Sequence, residues 1–175
     1  MIDFILGGAR SGKSRLAERR ATDSGREVVY IATAESRDGE MADRIAHHRD
    51  RRPSHWHTVE EPLQLAGAIA HNASPGHLIL VDCLTLWLSN LLCREDDKLL
   101  AQEKQALLDL LQTRPDVILV SNETGLGVVP MGELTRRFVD EAGWLHQRIA
   151  EQADRVTFMV AGLPHLLKDN GTLHD

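Results

Sequence analysis

The chain has 175 residues, 42% apolar and 26% charged, with a formal net charge of -6. That length suits one α/β domain with a full core, spanning residues 1–175, and is too short for two comfortable domains. The acidic balance argues against a long nucleic-acid backbone as the main partner, although a local nest of donors can still hold a small anion.

The first element is the apolar run Ile2–Leu6, which predicts a buried strand. It leads directly into Gly7-Gly8-Ala9-Arg10-Ser11-Gly12-Lys13-Ser14, which satisfies the pattern G-x-x-x-x-G-K-[ST], and then into a helix over Lys13–Thr22. Glycines let the backbone curl so that successive N–H groups converge on phosphate oxygens. The helix N-terminus adds partial positive charge, Lys13 neutralises the outer phosphates and Ser14 can hold Mg²⁺. A second strand is predicted over Val28–Ala32.

A helix over Glu40–His48 follows, with Met41, Ala42, Ile45 and Ala46 on one apolar stripe. His47 points away from that stripe, and His48 falls at its edge beside Arg44. Arg44, His48, Arg51 and Arg52 share a flank if the helix extends that far, but Pro53 disfavours helix at Arg52, so the last turn is expected to unwind. The spacing leaves two readings open. One is a solvated basic helix end, the commoner fate of a charge run. The other is a neutral imidazole whose flanking guanidinium groups hold a triphosphate and favour its nucleophilic form.

Further along, the pattern predicts a short strand over His55–Glu60 and a helix over Pro62–Ala70. Buried strands are read at Leu78–Asp82, Val117–Ser121 and Val156–Val160, with amphipathic helices at Asp96–Gln112 and Glu133–Gln152. Asp82 closes its strand, where an acid can organise Mg²⁺ or cap a following helix. Glu123 follows the next strand and faces either the phosphates or solvent. The polar tail Lys168–Asp175 reads as loose. Strands alternating with helices describe an α/β fold with a mostly parallel sheet.

Two cysteines, Cys83 and Cys93, are neither a disulfide framework nor a Cys-x-x-Cys pair, which favours a reducing compartment. No apolar run approaches membrane-spanning length, and the N-terminus leaves no room for a signal peptide. A cytoplasmic protein without membrane insertion is expected.

Five segments occur in order: Gly7–Ser14, Tyr30-Ile-Ala-Thr33, Arg44-Ile-x-His-His-x-x-x-Arg-Pro53, Trp56-x-Thr58-x-Glu60 and Asn122-Glu-x-Gly-x-Gly-x-Val-Pro130. Together they resemble the bifunctional adenosylcobinamide kinase/adenosylcobinamide-phosphate guanylyltransferase family of cobalamin biosynthesis, over nearly the whole chain. The resemblance implies a RecA-like P-loop NTPase fold, a three-layer sandwich, assembled as a homotrimer. It also implies phosphorylation of adenosylcobinamide with ATP or GTP, then transfer of GMP from GTP to the product through a guanylyl-histidine. By motif position that histidine is His48. Nucleotide contacts carry over to Gly7 through Ser14, to Ile31, Ala32 and Thr33, to Arg49, Asp50, Arg51 and Arg52, and to Glu60 and Asp82. A subunit interface could help enclose the large corrinoid, with Trp56 or Trp87 lending flat surface, although simple packing is the commoner use of either ring.

Two rivals remain at this level. One is a P-loop kinase for a small metabolite without the transferase half. The other is a nucleotide-controlled switch, disfavoured because no Asn-Lys-x-Asp motif is present.

Overall fold

The computed structural model describes residues 1–35, 53–170 and 172–174. The helix expected over 40–48 lies outside the described residues, and with it His48, Arg49, Asp50, Arg51 and Arg52.

Strands β1 (Ile2–Gly7), β2 (Glu27–Ala32), β3 (His57–Glu60), β4 (His77–Asp82), β5 (Val117–Asn122), β6 (Arg155–Val160), β7 (Leu163–Asp169) and β8 (Thr172–Leu173) form one eight-stranded sheet in the order β3-β2-β4-β5-β1-β6-β7-β8. Pairing is parallel from β3 through β6, with Gly7 opposite Asn122 on one side and Met159 on the other. The last two strands run antiparallel. The described helices are α1 (Lys13–Asp23), α2 (Leu65–Asn72), α3 (Leu84–Leu92), α4 (Asp97–Gln112) and α5 (Glu133–Gln152).

Successive strand side chains point to opposite faces, and this period divides the core in two. Ile2, Phe4 and Leu6 of β1 join Ile79, Val81 and Leu119 under α2, α3, α4 and α5. Ile5 joins Tyr30, Leu78, Leu80, Ile118 and Val120 under Leu16, Ala17 and Ala21 of α1. Helices on both faces make the three layers that the sequence predicts. Asp3 projects toward α1, where both of its carboxylate oxygens accept from Arg20 at 2.8 Å while Arg20 also donates to Thr157 at 3.1 Å. This cluster ties α1 to β1 and β6. Burial outweighs the Arg20 attraction and raises the Asp3 pKa.

Two segments differ from expectation. Leu84-Thr-Leu-Trp-Leu-Ser-Asn-Leu-Leu92 is a helix for which the sequence pattern gives no bounds, because it is buried on nearly every side and carries no charged face to mark it. The tail is not loose up to Asp169, nor at Thr172–Leu173. A turn at Ala161–Gly162, with φ of 52° and 81°, folds β7 back on β6, and β8 adds to it. Trp56 and Trp87 both pack inside: Trp87 is wholly buried and its Nε1 donates to Leu63 O at 2.7 Å, and Trp56 stacks on Tyr30. Neither offers a flat open face. No helix among the described residues is long and apolar enough to cross a membrane.

Candidate functional site

Parallel pairing brings the C-terminal ends of β1 through β5 to one edge of the sheet, where ligands of open α/β sheets bind. Gly7, Glu60, Asp82, Glu123 and the run ending at Thr33 all stand there. At the centre is the turn between β1 and α1. Gly12 takes the left-handed conformation (φ 97°) that starts α1, and no side chain caps the helix or adds an acid to its first turn. The first amides of α1 are therefore left for a ligand, and the helix dipole favours an anion there.

Three further details fit a phosphate group. Ser11 Oγ is buried and has no hydrogen-bond partner among the described residues. A methyl at Gly7 would stand 2.5 Å from Ser11 Oγ and 2.8 Å from Met159 O, so the turn needs glycine there. Lys13 is buried, its Nζ donating to Gly8 O at 2.9 Å. Burial lowers the Lys13 pKa, and the nearby Cys83 and Asp82 act in the opposite direction. A buried ammonium with one carbonyl partner has donors to spare for phosphate oxygens. The β6–β7 turn braces the cradle from below, with Gly162 N donating to Ser11 O at 3.0 Å.

Asp82 ends β4 on the α1 face, and its Oδ2 accepts from Tyr30 OH at 3.1 Å. Asp82 is not a helix cap; Cys83 is the N-cap residue of α3 and caps without a side-chain bond. Ser14, partly exposed in the first turn of α1, and Asp82 are the oxygen donors suited to Mg²⁺. The contacts expected at Ile31, Ala32 and Thr33 meet a different environment. Ile31 is wholly buried, Ala32 O accepts from Glu61 N at 2.9 Å, and Thr33 Oγ1 both donates to Cys83 O at 2.7 Å and accepts from Cys83 N at 3.0 Å. Only Thr33 braces the β4–α3 junction with its side chain; Ile31 and Ala32 pack into the two halves of the core, and Thr33 O accepts from Asn90 Nδ2 at 2.7 Å. Glu60 is exposed at the end of β3, opposite Ala32.

Glu123 is neither a free surface charge nor aimed openly outward. Its backbone N–H donates to Gly7 O at 3.0 Å, and Oε1 accepts from Gly125 N at 2.5 Å. Oε2 lies 3.9 Å from Nδ1 of His146, whose Nε2 is 2.7 Å from Ser121 Oγ. His146 is buried on α5, 5.6 Å from the Phe4 ring, and burial lowers its pKa against the pull of Glu123. Sequence reasoning passed over His146 and Ser121. The available signal was a lone histidine on the apolar stripe of α5 formed by Ala142, Leu145 and Ile149.

Fold and cradle define a RecA-like P-loop nucleotide-binding protein. A crystal structure of the RadB recombinase aligns with a TM-score of 0.54 at 18% identity, covering 90% of this chain and 73% of that one, a likeness of fold alone. The sequence comparisons go further. Residues 3–167 match the CobU family, described as cobinamide kinase / cobinamide phosphate guanyltransferase. The chain is 65% identical over 169 residues to the bifunctional adenosylcobalamin biosynthesis protein CobP of Pseudomonas aeruginosa, covering 96% of this chain and 98% of the relative. It is 41% identical over 177 residues to the protein CobU of the same description from Salmonella typhimurium, covering 93% of this chain and 97% of the relative. The chain belongs to the cobinamide kinase / cobinamide phosphate guanyltransferase family. That membership favours a bifunctional enzyme over a metabolite kinase lacking the transferase half.

Proposed function

We propose that the protein phosphorylates the aminopropanol hydroxyl of adenosylcobinamide with ATP or GTP, and then transfers GMP from GTP to that phosphate. The products are adenosylcobinamide-GDP and pyrophosphate. The observation that carries the reading is the cradle itself: uncapped α1 amides, the orphaned Ser11 hydroxyl and buried Lys13, in a chain of this family.

In the transferase step an imidazole nitrogen of His48 attacks the α-phosphorus of GTP. The P–N bond forms as the bond to the β-phosphate breaks, and pyrophosphate leaves with its charge neutralised by Lys13, Arg52 and neighbouring groups. An oxygen of the cobinamide phosphate then attacks the same phosphorus and releases the imidazole. Gly7 through Ser14 surround the phosphates, and Arg49, Asp50, Arg51 and Arg52 flank the nucleophile. Ile31, Ala32 and Thr33 at the end of β2, together with Glu60, border the nucleotide. Ser14 and Asp82 would hold Mg²⁺, which when bound offsets phosphate charge.

We further infer a cytoplasmic homotrimer whose subunits each act as one domain. The exposed apolar side chains Leu126, Val128, Val129 and Met131, on the stretch after β5, support a face covered by a partner or by the corrinoid. The test is incubation with α-labelled GTP and Mg²⁺ followed by recovery of acid-labile, protein-bound label. His47→Ala keeps the label and His48→Ala loses it; label retained by His48→Ala refutes the assignment.

A further inference from the structure

Resting on that functional reading, we propose that Glu123 is the base that takes the proton from the acceptor hydroxyl in the phosphorylation step, and that His146, anchored on Ser121, is the positioning residue that holds its carboxylate.

Two carboxylates stand at the ends of the central strands, and their surroundings assign them different work. Asp82 lies on the α1 face, where it interacts with the Lys13 ammonium and accepts from Tyr30 OH. An anion beside a phosphate-binding lysine suits metal and charge balance. Glu123 has no lysine or arginine in ion-pair range among the described residues. Among the described residues only Oε1 accepts a hydrogen bond, from Gly125 N, and Oε2 keeps acceptor capacity for a hydroxyl. Its backbone is fastened to the first residue of the phosphate turn through Gly7 O, so the start of the Glu123 loop is fixed beside the cradle. General-base work requires that combination of placement and an uncommitted acceptor.

His146 makes the arrangement more than a surface loop. It is the one titratable group facing the Glu123 carboxylate among the described residues, and its other neighbours are the neutral Ser121 and Phe4. The Ser121 hydroxyl can donate to Nε2, and in that tautomer the proton sits on Nδ1 and faces Oε2. Burial favours the neutral ring, so a proton on Nδ1, 3.9 Å from Oε2 and outside hydrogen-bond range at rest, can steer the carboxylate as a dipole without cancelling its charge. As the hydroxyl oxygen bonds to the γ-phosphorus, the bond from that phosphorus to the leaving nucleoside diphosphate breaks. The hydroxyl proton passes to Glu123 and then to water. The second acceptor is an ionised phosphate with no such proton to lose, so GMP transfer does not call on this base.

The experiment measures both half-reactions on the full chain: adenosylcobinamide with ATP, and adenosylcobinamide phosphate with GTP. Glu123→Gln keeps the shape of a partly exposed side chain and removes the base. Its kinase kcat falls by about a hundredfold or more, at least ten times further than GMP transfer, with the KM for ATP within about threefold of the parent. His146→Leu lowers kinase kcat by about tenfold through a displaced carboxylate. His146→Asn, which restores a donor near the Nδ1 position, regains most of it. Equal loss of both half-reactions in Glu123→Gln, or kinase turnover within about threefold of the parent, overturns the assignment of the base. Equal loss in His146→Leu and His146→Asn overturns the positioning role. If the unsubstituted protein lacks both half-reactions, the functional reading fails, and the assignment fails with it.

Discussion

The structure predicts a sharp difference between two adjacent glycines of the phosphate turn. A Cβ at Gly7 would lie 2.5 Å from Ser11 Oγ, 2.8 Å from Met159 O and 2.9 Å from Met159 Cβ, whereas a Cβ at Gly8 meets nothing within 4 Å. Carbon pairs prefer about 3.5–4.0 Å, so the Gly7 contact with Met159 Cβ is short by at least ~0.6 Å. Ser11 can rotate away, but Met159 belongs to β6, is paired with Gly7 in the ladder and is buried, so its backbone cannot yield alone. Relief must come from shifting the turn against the sheet. Overpacking of this kind costs about 1–3 kcal/mol, which in a chain of this size lowers Tm by about 2–12 °C. The same shift moves the α1 amides and Lys13 off the phosphates, and a nucleotide Kd raised at least about tenfold is expected, or ~1.4 kcal/mol. Thermal melts of Gly7→Ala and Gly8→Ala without nucleotide, followed by titration with GTP, test this. Gly8→Ala should melt within about 1 °C of the parent, since surface changes that meet nothing are nearly neutral. Equal melting of the two variants would refute the steric argument.

Labelling by α-labelled GTP should follow His48, and the ratio of kinase to transferase activity should follow Glu123. Stability should also depend on pH through His146. Burial depresses its folded-state pKa below the ordinary value of 6.5, so the unfolded chain binds the proton more readily. The contribution is complete above that value and is lost as pH falls through the folded-state pKa, with a slope of at most about 1.4 kcal/mol per pH unit for one proton. Urea unfolding from pH 7.5 to 5 checks this, and His146→Asn should flatten the dependence. Thiol chemistry separates the two cysteines. Cys83 is buried and its thiol is pushed up to about 11, while Cys93 is exposed. At pH 8 only about 0.1% of such a buried thiol is thiolate. One thiol per chain should therefore react with iodoacetamide before unfolding and the second only afterwards; fast reaction of both would contradict the described packing.

Several parts of the molecule were readable from local chemistry. A buried apolar run, a glycine turn and a helix-forming run mark β1, the cradle and α1 without reference to the rest of the chain. The continuous β-branched runs mark β2, β4, β5 and β6 because strands covered on both faces need no polar alternation. Period 3.6 marks α4 and α5 because each buries one stripe. Where those local signals fail, the elements were missed. The helix α3 is buried nearly all round, and β7 is a strand because β6 offers an unpaired edge and Gly162 permits the turn, neither of which its own residues announce.

The order of residues alone determined the phosphate-binding chemistry, since a glycine turn and a lysine act within one short stretch of backbone. Their joining to later residues was decided only in three dimensions. Asp82 stands near enough to Lys13 to favour its charge, and Glu123 N–H is tied to Gly7 O, because parallel pairing aligns strand ends that are far apart along the chain. Ser121 and His146 meet because α5 folds back across the sheet and buries one imidazole there. Such distances are set by packing, and no spacing in the sequence encodes them.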